Sequence, residues 1–254
     1  MLLTVDIGNT NITLGVYDGE QLVFTSRMLT DSRRLCDQYA IEVSDILTLY
    51  GVQREQITGS IICSVVPPLT AAFEQAMIRL FGVKPLVIGP GLKTGLDIKI
   101  DNPAQLGADV VAGAVGAIGM GCFPAVIFDL GTATTMFVLD REGKMLGGAI
   151  MPGVQVSLDA LITRTAQLQQ ISLEQPKTVM GKNTIESLRS GSVYGTAAMM
   201  DGMCDRVEAE LGYAVKTAAT GGLSGVIIPH CKRNMEPMDH LVMQGLHSLY
   251  YKNT

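Results

Sequence analysis

The chain has no tryptophan, and aromatic residues make up only 5% of its 254 positions. Single-stranded nucleic acids are usually bound by stacking their bases on aromatic rings, so such a surface is disfavoured. Acidic residues also outnumber basic ones: the chain has 24 Asp and Glu and 19 Lys and Arg, which gives a net charge of −5. We therefore expect no nucleic-acid partner that binds through a positive field.

Metal-binding and redox cysteine motifs are missing as well. The five cysteines are scattered, no two form C-x-x-C, and the three histidines lack zinc-ligand spacing. We therefore expect reduced thiols in a cytoplasmic protein. The longest uncharged run, residues 110–128, is interrupted by glycines and by Pro124. It predicts a buried helix, a turn at Phe123–Pro124 and a strand over 125–130, and we expect no membrane span.

An internal repeat is what the sequence does contain. The segment TVDIGNTNITLGVYD at residues 4–18 resembles IFDLGTATTMFVLD at residues 127–140. The aligned pairs are Asp6 and Asp129, Gly8 and Gly131, and Asn9 and Thr132. Each copy predicts two strands joined by a turn rich in Gly and Thr, and a third strand follows over 22–28 or 145–150.

Alternating helices and strands follow each set of three strands. In the first half we predict a helix over 37–50, a strand over 60–66, a helix over 67–81 and a strand over 85–88. In the second half we predict a helical region over 185–211 interrupted by Gly191 and Gly195, a strand over 214–220 and a helix over 239–251. The pattern favours an α/β fold of two similar domains, 1–117 and 118–254, whose last helix packs on the first domain. The alternative is one doubly wound sheet with a chance likeness between two hairpins.

The two glycine turns are candidate phosphate-binding loops. Glycine permits a tight turn that aims main-chain N–H groups at an anion, and the Asn and Thr side chains add donors. Asp6, at the end of its strand, suits a hydrated cation that bridges to phosphate oxygens. Two such loops across a cleft would hold a polyphosphate from both sides. No Walker motif competes, because Pro176 occupies the position of its first glycine before Gly181-Lys182.

Two further features have both a structural and a functional interpretation. Gly221-Gly222 follows a strand and would let a ring or sugar approach, or would form an ordinary turn. The segment from Asn102 to Ala112 predicts one helix capped by Asn102, with Asp109 about two turns in among apolar neighbours. An unpaired carboxylate is costly to bury there, so Asp109 is either a general base for an alcohol or a satisfied structural residue.

The chain resembles the type III pantothenate kinases over nearly its whole length. The segments that carry the resemblance are DIGNTN at 6–11, CSVVPP at 63–68, GPGLKTG at 89–95, Asn102-Pro103, GAD at 107–109, DLGTATT at 129–135, Gly147-Gly148, Pro152-Gly153, GKNT at 181–184 and ATGGL at 219–223. This family belongs to the acetate and sugar kinase, Hsp70 and actin superfamily. The resemblance implies two RNase H-like (actin-like ATPase) domains that arose by duplication, with the nucleotide in the cleft between them.

The resemblance also implies an activity and a set of site residues. The activity is ATP-dependent phosphorylation of pantothenate to 4′-phosphopantothenate, the first step of coenzyme A biosynthesis, by a homodimer. The implied ATP-binding residues are Asp6, Ile7, Gly8, Asn9, Thr10, Asn11, Ile12, Thr13 and Thr132. The implied pantothenate-binding residues are Ile100, Gly107, Ala108, Asp109, Val110 and Thr184. Asp109 would accept the proton, Asp129 would hold K⁺ or NH₄⁺, and Asp6 would hold Mg²⁺ through water.

The sequence departs from the family pattern at two substrate positions. Val110 replaces the usual arginine, and Ile100 stands where the family often has tyrosine. An arginine beside the base could pair with the carboxylate of pantothenate, so its loss concerns substrate affinity and identity. Two alternatives stay open: a kinase of another small alcohol, and a non-catalytic nucleotide-binding regulatory paralogue.

Overall fold

The computed structural model describes residues 1–254. Ten strands are present: β1 (Leu2–Ile7), β2 (Asn11–Asp18), β3 (Gln21–Leu29), β4 (Gly59–Ser64), β5 (Leu86–Val87), β6 (Ala125–Leu130), β7 (Ala133–Leu139), β8 (Met145–Pro152), β9 (Lys216–Thr220) and β10 (Glu236–Pro237). Seven α-helices accompany them: α1 (Cys36–Leu49), α2 (Pro67–Phe81), α3 (Ala108–Gly119), α4 (Val154–Arg164), α5 (Thr184–Leu211), α6 (Ser224–Ile227) and α7 (Leu241–Asn253). Short 3₁₀ helices lie at Arg54–Gln56, Pro103–Gln105 and Ile228–His230.

The contacts of the chain divide it into two compact units. Unit 1 comprises Met1–Leu96, Asp101–Gly121 and Leu241–Thr254. Unit 2 comprises Asp97–Ile100 and Cys122–His240. Helices α3 and α7 therefore belong to unit 1, although α7 ends the chain. The domain division after residue 117 stays a prediction.

Both units contain a five-stranded mixed sheet with the same strand order. The first sheet runs β3-β2-β1-β4-β5 and the second runs β8-β7-β6-β9-β10. In each sheet, the three strands of the repeat pair in antiparallel fashion. The remaining two strands run parallel to β1 in the first sheet and to β6 in the second. Two matching sheets exclude the alternative of a single doubly wound sheet, so the predicted duplication is confirmed.

The duplication extends to an irregularity in strand pairing. The β2–β3 register shifts between Val16 and Tyr17, and the β7–β8 register shifts between Val138 and Leu139. Thr13 pairs with Asp6, and Thr135 pairs with Asp129. In both hairpins the shift follows this threonine by the same number of residues. A β-bulge increases the local twist of its strand, so both hairpins bend at the same place.

The first sheet is covered on both faces. On one face its strands pack against α1 and α2 through a core that includes Tyr39, Val43 and Phe73. On the other face Leu2 and Ile61 pack with α3 and α7. Burial on both faces explains why β1 and β4 are continuous apolar runs.

Helices α3 and α7 approach each other very closely within unit 1. A Cβ atom added at Gly245 would overlap the carbonyl of Ala112, and one added at Gly116 would lie 2.5 Å from the carbonyl oxygen of Leu241. These two glycines therefore allow the backbones to touch. This packing fixes α3, and with it Asp109, against the end of the chain.

Two predictions about helices are wrong. Helix α5 is continuous over its 28 residues, so Gly191 and Gly195 do not interrupt it. The predicted single helix over residues 102–112 is broken: a 3₁₀ turn at Pro103–Gln105 is followed by extended backbone at Leu106 and Gly107, and α3 begins at Ala108. The predicted Asn102 cap is confirmed, since its side chain accepts the N–H of Ala104 at 3.2 Å.

The uncharged run over residues 110–128 contributes most of α3, the turn at Phe123–Pro124 and the first part of β6, as predicted. None of the helices has both the length and the apolar character that crossing a membrane requires.

Candidate functional site

The first glycine loop joins β1 to β2 and is tightly wound. Ile7 pairs with Ile12, which leaves residues 8–11 as the loop. The Gly8 N–H donates to the Asn11 carbonyl at 3.0 Å, and a Cβ at Gly8 would lie 3.0 Å from that same oxygen. Residues Asn9, Thr10 and Asn11 are exposed. The side chains of Ile7 and Ile12 are in the core, so only their main chains could meet a ligand.

Asp6 ends β1 beside two polar neighbours. It pairs with Thr13 on β2 and with Cys63 on β4. The Cys63 thiol is fully buried, and the Asp6 carboxylate lies on the neighbouring strand at the paired position. Burial, and then the carboxylates of Asp6 and Asp109, raise the pKa of Cys63 well above its usual range. The thiol is therefore neutral, and the two carboxylates that act on it come from β1 and α3.

Asp109 lies in the first turn of α3, so its predicted place two turns into a helix is wrong. Its Oδ1 atom accepts the N–H of Val110 at 2.8 Å. A Cβ atom at Gly107 would overlap this carboxylate, so glycine leaves the space that the side chain occupies. A carboxylate in the first turn of a helix is stabilised by the helix dipole. Asp109, Ala108 and Val110 are all half-buried, as a site open to a ligand requires.

The second glycine loop is one residue shorter. Leu130 pairs with Thr134, and the Gly131 N–H donates to the Ala133 carbonyl at 3.1 Å. Thr132 is exposed in this loop, whereas Asp129 at the end of β6 is half-buried. A Cβ atom at Gly153 would overlap the carbonyl of Thr132, so the loop is packed against the start of α4.

Gly221 packs against the Asp129 carboxylate. A Cβ at Gly221 would lie 2.6 Å from Asp129 Oδ1 and 2.6 Å from Leu130 N, and its φ of +95° also favours glycine. The protein's own packing therefore requires this glycine. The interpretation that Gly221-Gly222 admits a ring or sugar is not needed to explain it.

The predicted substrate residues are distributed over both units. Gly107, Ala108, Asp109 and Val110 belong to unit 1, whereas Ile100 and Thr184 belong to unit 2. Thr184, the first residue of α5, lines a pocket of about 280 Å³ in unit 2. The other lining residues are Gln167, Gln169, Ile171, Asn183, Ile185 and Leu188. The lining combines amide and hydroxyl groups with three apolar side chains.

The residues fit weakly held, water-mediated cations better than a tightly bound metal. No three His, Cys, Asp or Glu side chains converge to form a metal cluster. Magnesium commonly keeps several waters and binds through one or two carboxylates plus substrate phosphates. Asp6 meets that description for Mg²⁺, and Asp129 offers the oxygen ligand that a monovalent cation needs.

Cys63 is the site residue that the sequence alone did not identify. It stands in the segment that carries the family resemblance, but a lone cysteine in an apolar strand is typical of a core thiol. Its proximity to two carboxylates follows from the parallel pairing of β1 with β4 and from the contact of β4 with α3. Neither is visible in the spacing of the residues.

Comparisons with known proteins agree with one another. The sequence profile of the type III pantothenate kinase family matches residues 2–206. A type III pantothenate kinase from an Exiguobacterium species is 43% identical, over 100% of this chain and 99% of its own. One from Geobacter sulfurreducens is 41% identical over the same shares.

Solved structures share the fold at lower identity. A Baf family protein from Campylobacter jejuni has a TM-score of 0.62 and 16% identity, over 99% of this chain and 98% of its own. The activator of 2-hydroxyisocaproyl-CoA dehydratase from Clostridium difficile has a TM-score of 0.54 and 11% identity, over 98% of this chain and 93% of its own. These likenesses support the predicted pair of actin-like α/β domains.

Proposed function

The chain belongs to the type III pantothenate kinases, and we propose that it transfers the γ-phosphoryl group of ATP to the primary hydroxyl of pantothenate. The product is 4′-phosphopantothenate, formed in the first step of coenzyme A biosynthesis. The observation that carries this proposal is the grouping of Asp6, Cys63 and Asp109 beside a glycine loop, in a chain that matches its relatives from end to end.

Asp109 is the proposed general base. Its Oδ1 atom is engaged by the Val110 N–H, which leaves Oδ2 to accept the hydroxyl proton of pantothenate. Phosphoryl transfer needs positioning and charge stabilisation more than covalent help from the protein. A carboxylate held at one oxygen is well suited to orient a hydroxyl group and take its proton.

The ATP phosphates are proposed to bind to residues Asp6 to Thr13 and to Thr132. The exposed Asn9, Thr10 and Asn11 supply side-chain donors, and the tight turn supplies main-chain N–H groups. Because Cys63 is neutral, it adds no negative charge beside the phosphates. Bound Mg²⁺ and K⁺ or NH₄⁺ would neutralise phosphate charge, with Asp6 and Asp129 as the residues that hold them.

The proposed pantothenate-binding residues are Ile100, Gly107, Ala108, Asp109, Val110 and Thr184. Val110 cannot pair with the carboxylate of pantothenate, and this observation favours the second candidate, a kinase of another small alcohol. Losing such a charge-assisted contact costs about 1.5–3 kcal/mol. The retention of Asp6, Asp109 and Asp129 argues against a non-catalytic regulatory paralogue.

A homodimer is proposed from the surface of unit 2. Several large apolar side chains are exposed there, with Ile150 at 82% and Met180 at 83% of full exposure, and Val179, Leu161 and Ile185 add to them. A contiguous patch of such side chains often marks a protein interface, and unit 1 also exposes large apolar side chains, among them Leu29 and Leu49. A monomeric mass in light scattering would contradict this proposal. Cytoplasmic location also remains a proposal, supported by five free cysteines.

The test is a coupled assay of ADP release with ATP, Mg²⁺ and pantothenate, in K⁺ and then in Na⁺. We expect turnover that depends on pantothenate and is higher in K⁺. Asp109→Asn should lower kcat by about 10²–10⁴-fold, the contribution typical of a general base. The matched control is Asp18→Asn, an exposed aspartate at the end of β2, which should leave kcat unchanged.

The outcomes separate the two candidate functions. If ATP binds but pantothenate gives no turnover, Val110→Arg should be made next. Turnover restored by that variant would show that position 110 selects the substrate. No turnover in either protein would contradict pantothenate as the acceptor and favour another small alcohol. Unchanged kcat in Asp109→Asn would contradict the proposed base.

A further inference from the structure

We propose that Thr30 is a positioning residue for the first glycine loop: it holds two loop carbonyls so that the loop presents donors to the ATP phosphates. The proposal rests on the proposed function, because it concerns how the same nucleotide loop is shaped. Thr30 lies immediately after β3, about twenty residues from the loop in sequence, and no motif in the chain indicates the connection.

The contacts of Thr30 reach both ends of the turn. Its Oγ1 donates to the Gly8 carbonyl at 2.7 Å, and its main-chain N–H donates to the Thr10 carbonyl at 3.0 Å. The Asn11 carbonyl already accepts the Gly8 N–H. Three of the loop's carbonyls, Gly8, Thr10 and Asn11, are thus engaged by donors from the protein. Carbonyl oxygens carry partial negative charge and repel phosphate. When hydrogen bonds hold these carbonyls toward the protein, the exposed surface of the loop presents N–H groups and side-chain donors instead.

The residue that follows Thr30, Asp31, is held to the core of unit 1. The hydroxyl of Tyr39 donates to the Asp31 carbonyl at 2.8 Å and accepts the Asp31 N–H at 3.3 Å. The Tyr39 ring is fully buried and packs against Phe73 with 4.5 Å between ring centroids. Burial raises the pKa of Tyr39, so the hydroxyl remains protonated and able to donate. A continuous chain of contacts therefore runs from the core to the loop.

The second repeat shows that the fold itself does not need a threonine here. Leu29 pairs with Asn11 on β2, and Pro152 pairs with Ala133 on β7, so the residues that follow, Thr30 and Gly153, are equivalent. Gly153 closes its loop by direct contact, since a Cβ there would lie 2.7 Å from the Gly131 carbonyl oxygen. The hydroxyl at position 30 is thus a property of the first loop alone, where the phosphates are proposed to bind.

The experiment compares Thr30→Val, which keeps the shape but removes the hydroxyl, with Thr30→Ser, which keeps the hydroxyl. The matched control is Thr25→Val in β3, the strand that precedes Thr30, where the hydroxyl makes no hydrogen bond to the protein. KM for ATP, KM for pantothenate, kcat and the melting temperature are measured for each. Affinity for a non-hydrolysable ATP analogue is measured by calorimetry, so the test does not depend on turnover.

Thr30→Val should raise KM for ATP and weaken analogue binding about three- to tenfold, the effect of one neutral hydrogen bond. KM for pantothenate should stay unchanged, and Thr30→Ser should restore most of the loss. Tyr39→Phe should shift KM for ATP in the same direction by a smaller factor. This second variant tests the same chain of contacts at a residue that keeps its ring in the core.

Three results would overturn the proposal. The first is nucleotide affinity in Thr30→Val equal to that of the wild type. The second is equal loss in Thr30→Val and Thr30→Ser, and the third is a loss in Thr25→Val as large as in Thr30→Val. Failure of the proposed function is distinguishable: the wild type would then bind the analogue in a Thr30-dependent way yet phosphorylate no pantothenate. A wild type that binds no analogue contradicts the role of Thr30 itself.

Discussion

The two glycine hairpins share strand order, bulge position and a terminal aspartate, yet they close their loops by different means. The first loop, residues 8–11, is held by hydrogen bonds from Thr30. The second, residues 131–133, is held by close packing against Gly153. Both loops contain an equivalent internal hydrogen bond, from Gly8 N–H to Asn11 and from Gly131 N–H to Ala133, so the difference lies in the residue that follows the third strand. Duplication therefore preserved the scaffold while the details that define a binding surface diverged.

The two aspartates differ in the same way. Asp6 has a buried thiol on the neighbouring parallel strand, and Asp129 has Thr220 at the equivalent place. Asp6 also shares its thiol neighbour with Asp109, so two carboxylates act on one group in unit 1. Asp129 instead packs against the backbone at Gly221. The first aspartate therefore lies near a second carboxylate, whereas the second lies against the backbone of the glycine turn.

Among the variants that compare the two hairpins, the largest effect should come from neutralising Asp6 and Asp129 separately. Asp6→Asn should lower kcat/KM for ATP about 100-fold, the scale of losing one preorganised electrostatic contact. Asp129→Asn should instead abolish the difference between K⁺ and Na⁺ in the coupled assay. If both variants lose activity equally in both salts, the aspartates have the same role and the proposed division of cations is wrong.

A smaller effect is expected from filling the contact that closes the second loop. Gly153→Ala should destabilise the protein by about 1–3 kcal/mol, because the new methyl group overlaps the loop carbonyls. The φ of −65° at this position suits alanine, so the cost comes from contact and not from the backbone conformation. Differential scanning calorimetry measures it as a lower melting temperature.

The matched control for this variant is Gly225→Ala in α6, where an added Cβ has nothing within 4 Å. Alanine there should leave the melting temperature unchanged or slightly higher, since alanine favours a helix over glycine. A melting temperature lowered equally by both variants would show that close packing at Gly153 is not what shapes the second loop.

The smallest effect should follow from changing the thiol between the two carboxylates. Cys63→Ala removes the polar group beside Asp6 and should lower kcat/KM for ATP about three- to tenfold. Cys63→Ser keeps a donor of similar size and should remain close to the wild type. Because the wild-type thiol is neutral, the pH profile near neutrality should have the same shape in all three proteins. A loss in Cys63→Ser equal to that in Cys63→Ala would contradict a role for the polar group at position 63.

Much of the fold could be predicted from the sequence because the same pattern of strands and turn occurs in both halves of the chain. The strand-turn-strand pattern around Asp6 and Asp129 predicted both hairpins, and the uncharged run predicted α3 and β6. The break before α3 was not predictable, since Asn102-Pro103 is a good helix start and nothing local requires extended backbone at Gly107. In the structure the Asp109 carboxylate occupies the space beside Gly107, a tertiary arrangement that the local sequence does not reveal. The continuity of α5 was missed because glycine is tolerated on an exposed helix face.

The site was less predictable than the fold. Aspartates at strand ends are visible in a repeat, and the resemblance to a family added the proposed place of the base. Cys63 and Thr30 depend on which strands are neighbours and on how far one hydroxyl reaches. Those contacts join residues about 57 and 22 positions apart, and a single sequence contains no periodicity that would connect them.

The return of α7 to unit 1 has a consequence for the order in which the protein is made. Unit 1 contains the first residues of the chain and also its last fourteen, Leu241–Thr254. The helix that carries Asp109 is covered by α7 only after that final segment has left the ribosome. Domains commonly fold in the order of synthesis. Here unit 1 begins to emerge first, but it cannot finish folding until α7 has been synthesised, after all of unit 2. A chain that stops short of residue 241 would leave the apolar face of α3 uncovered, so premature termination should be detected by chaperones and proteases.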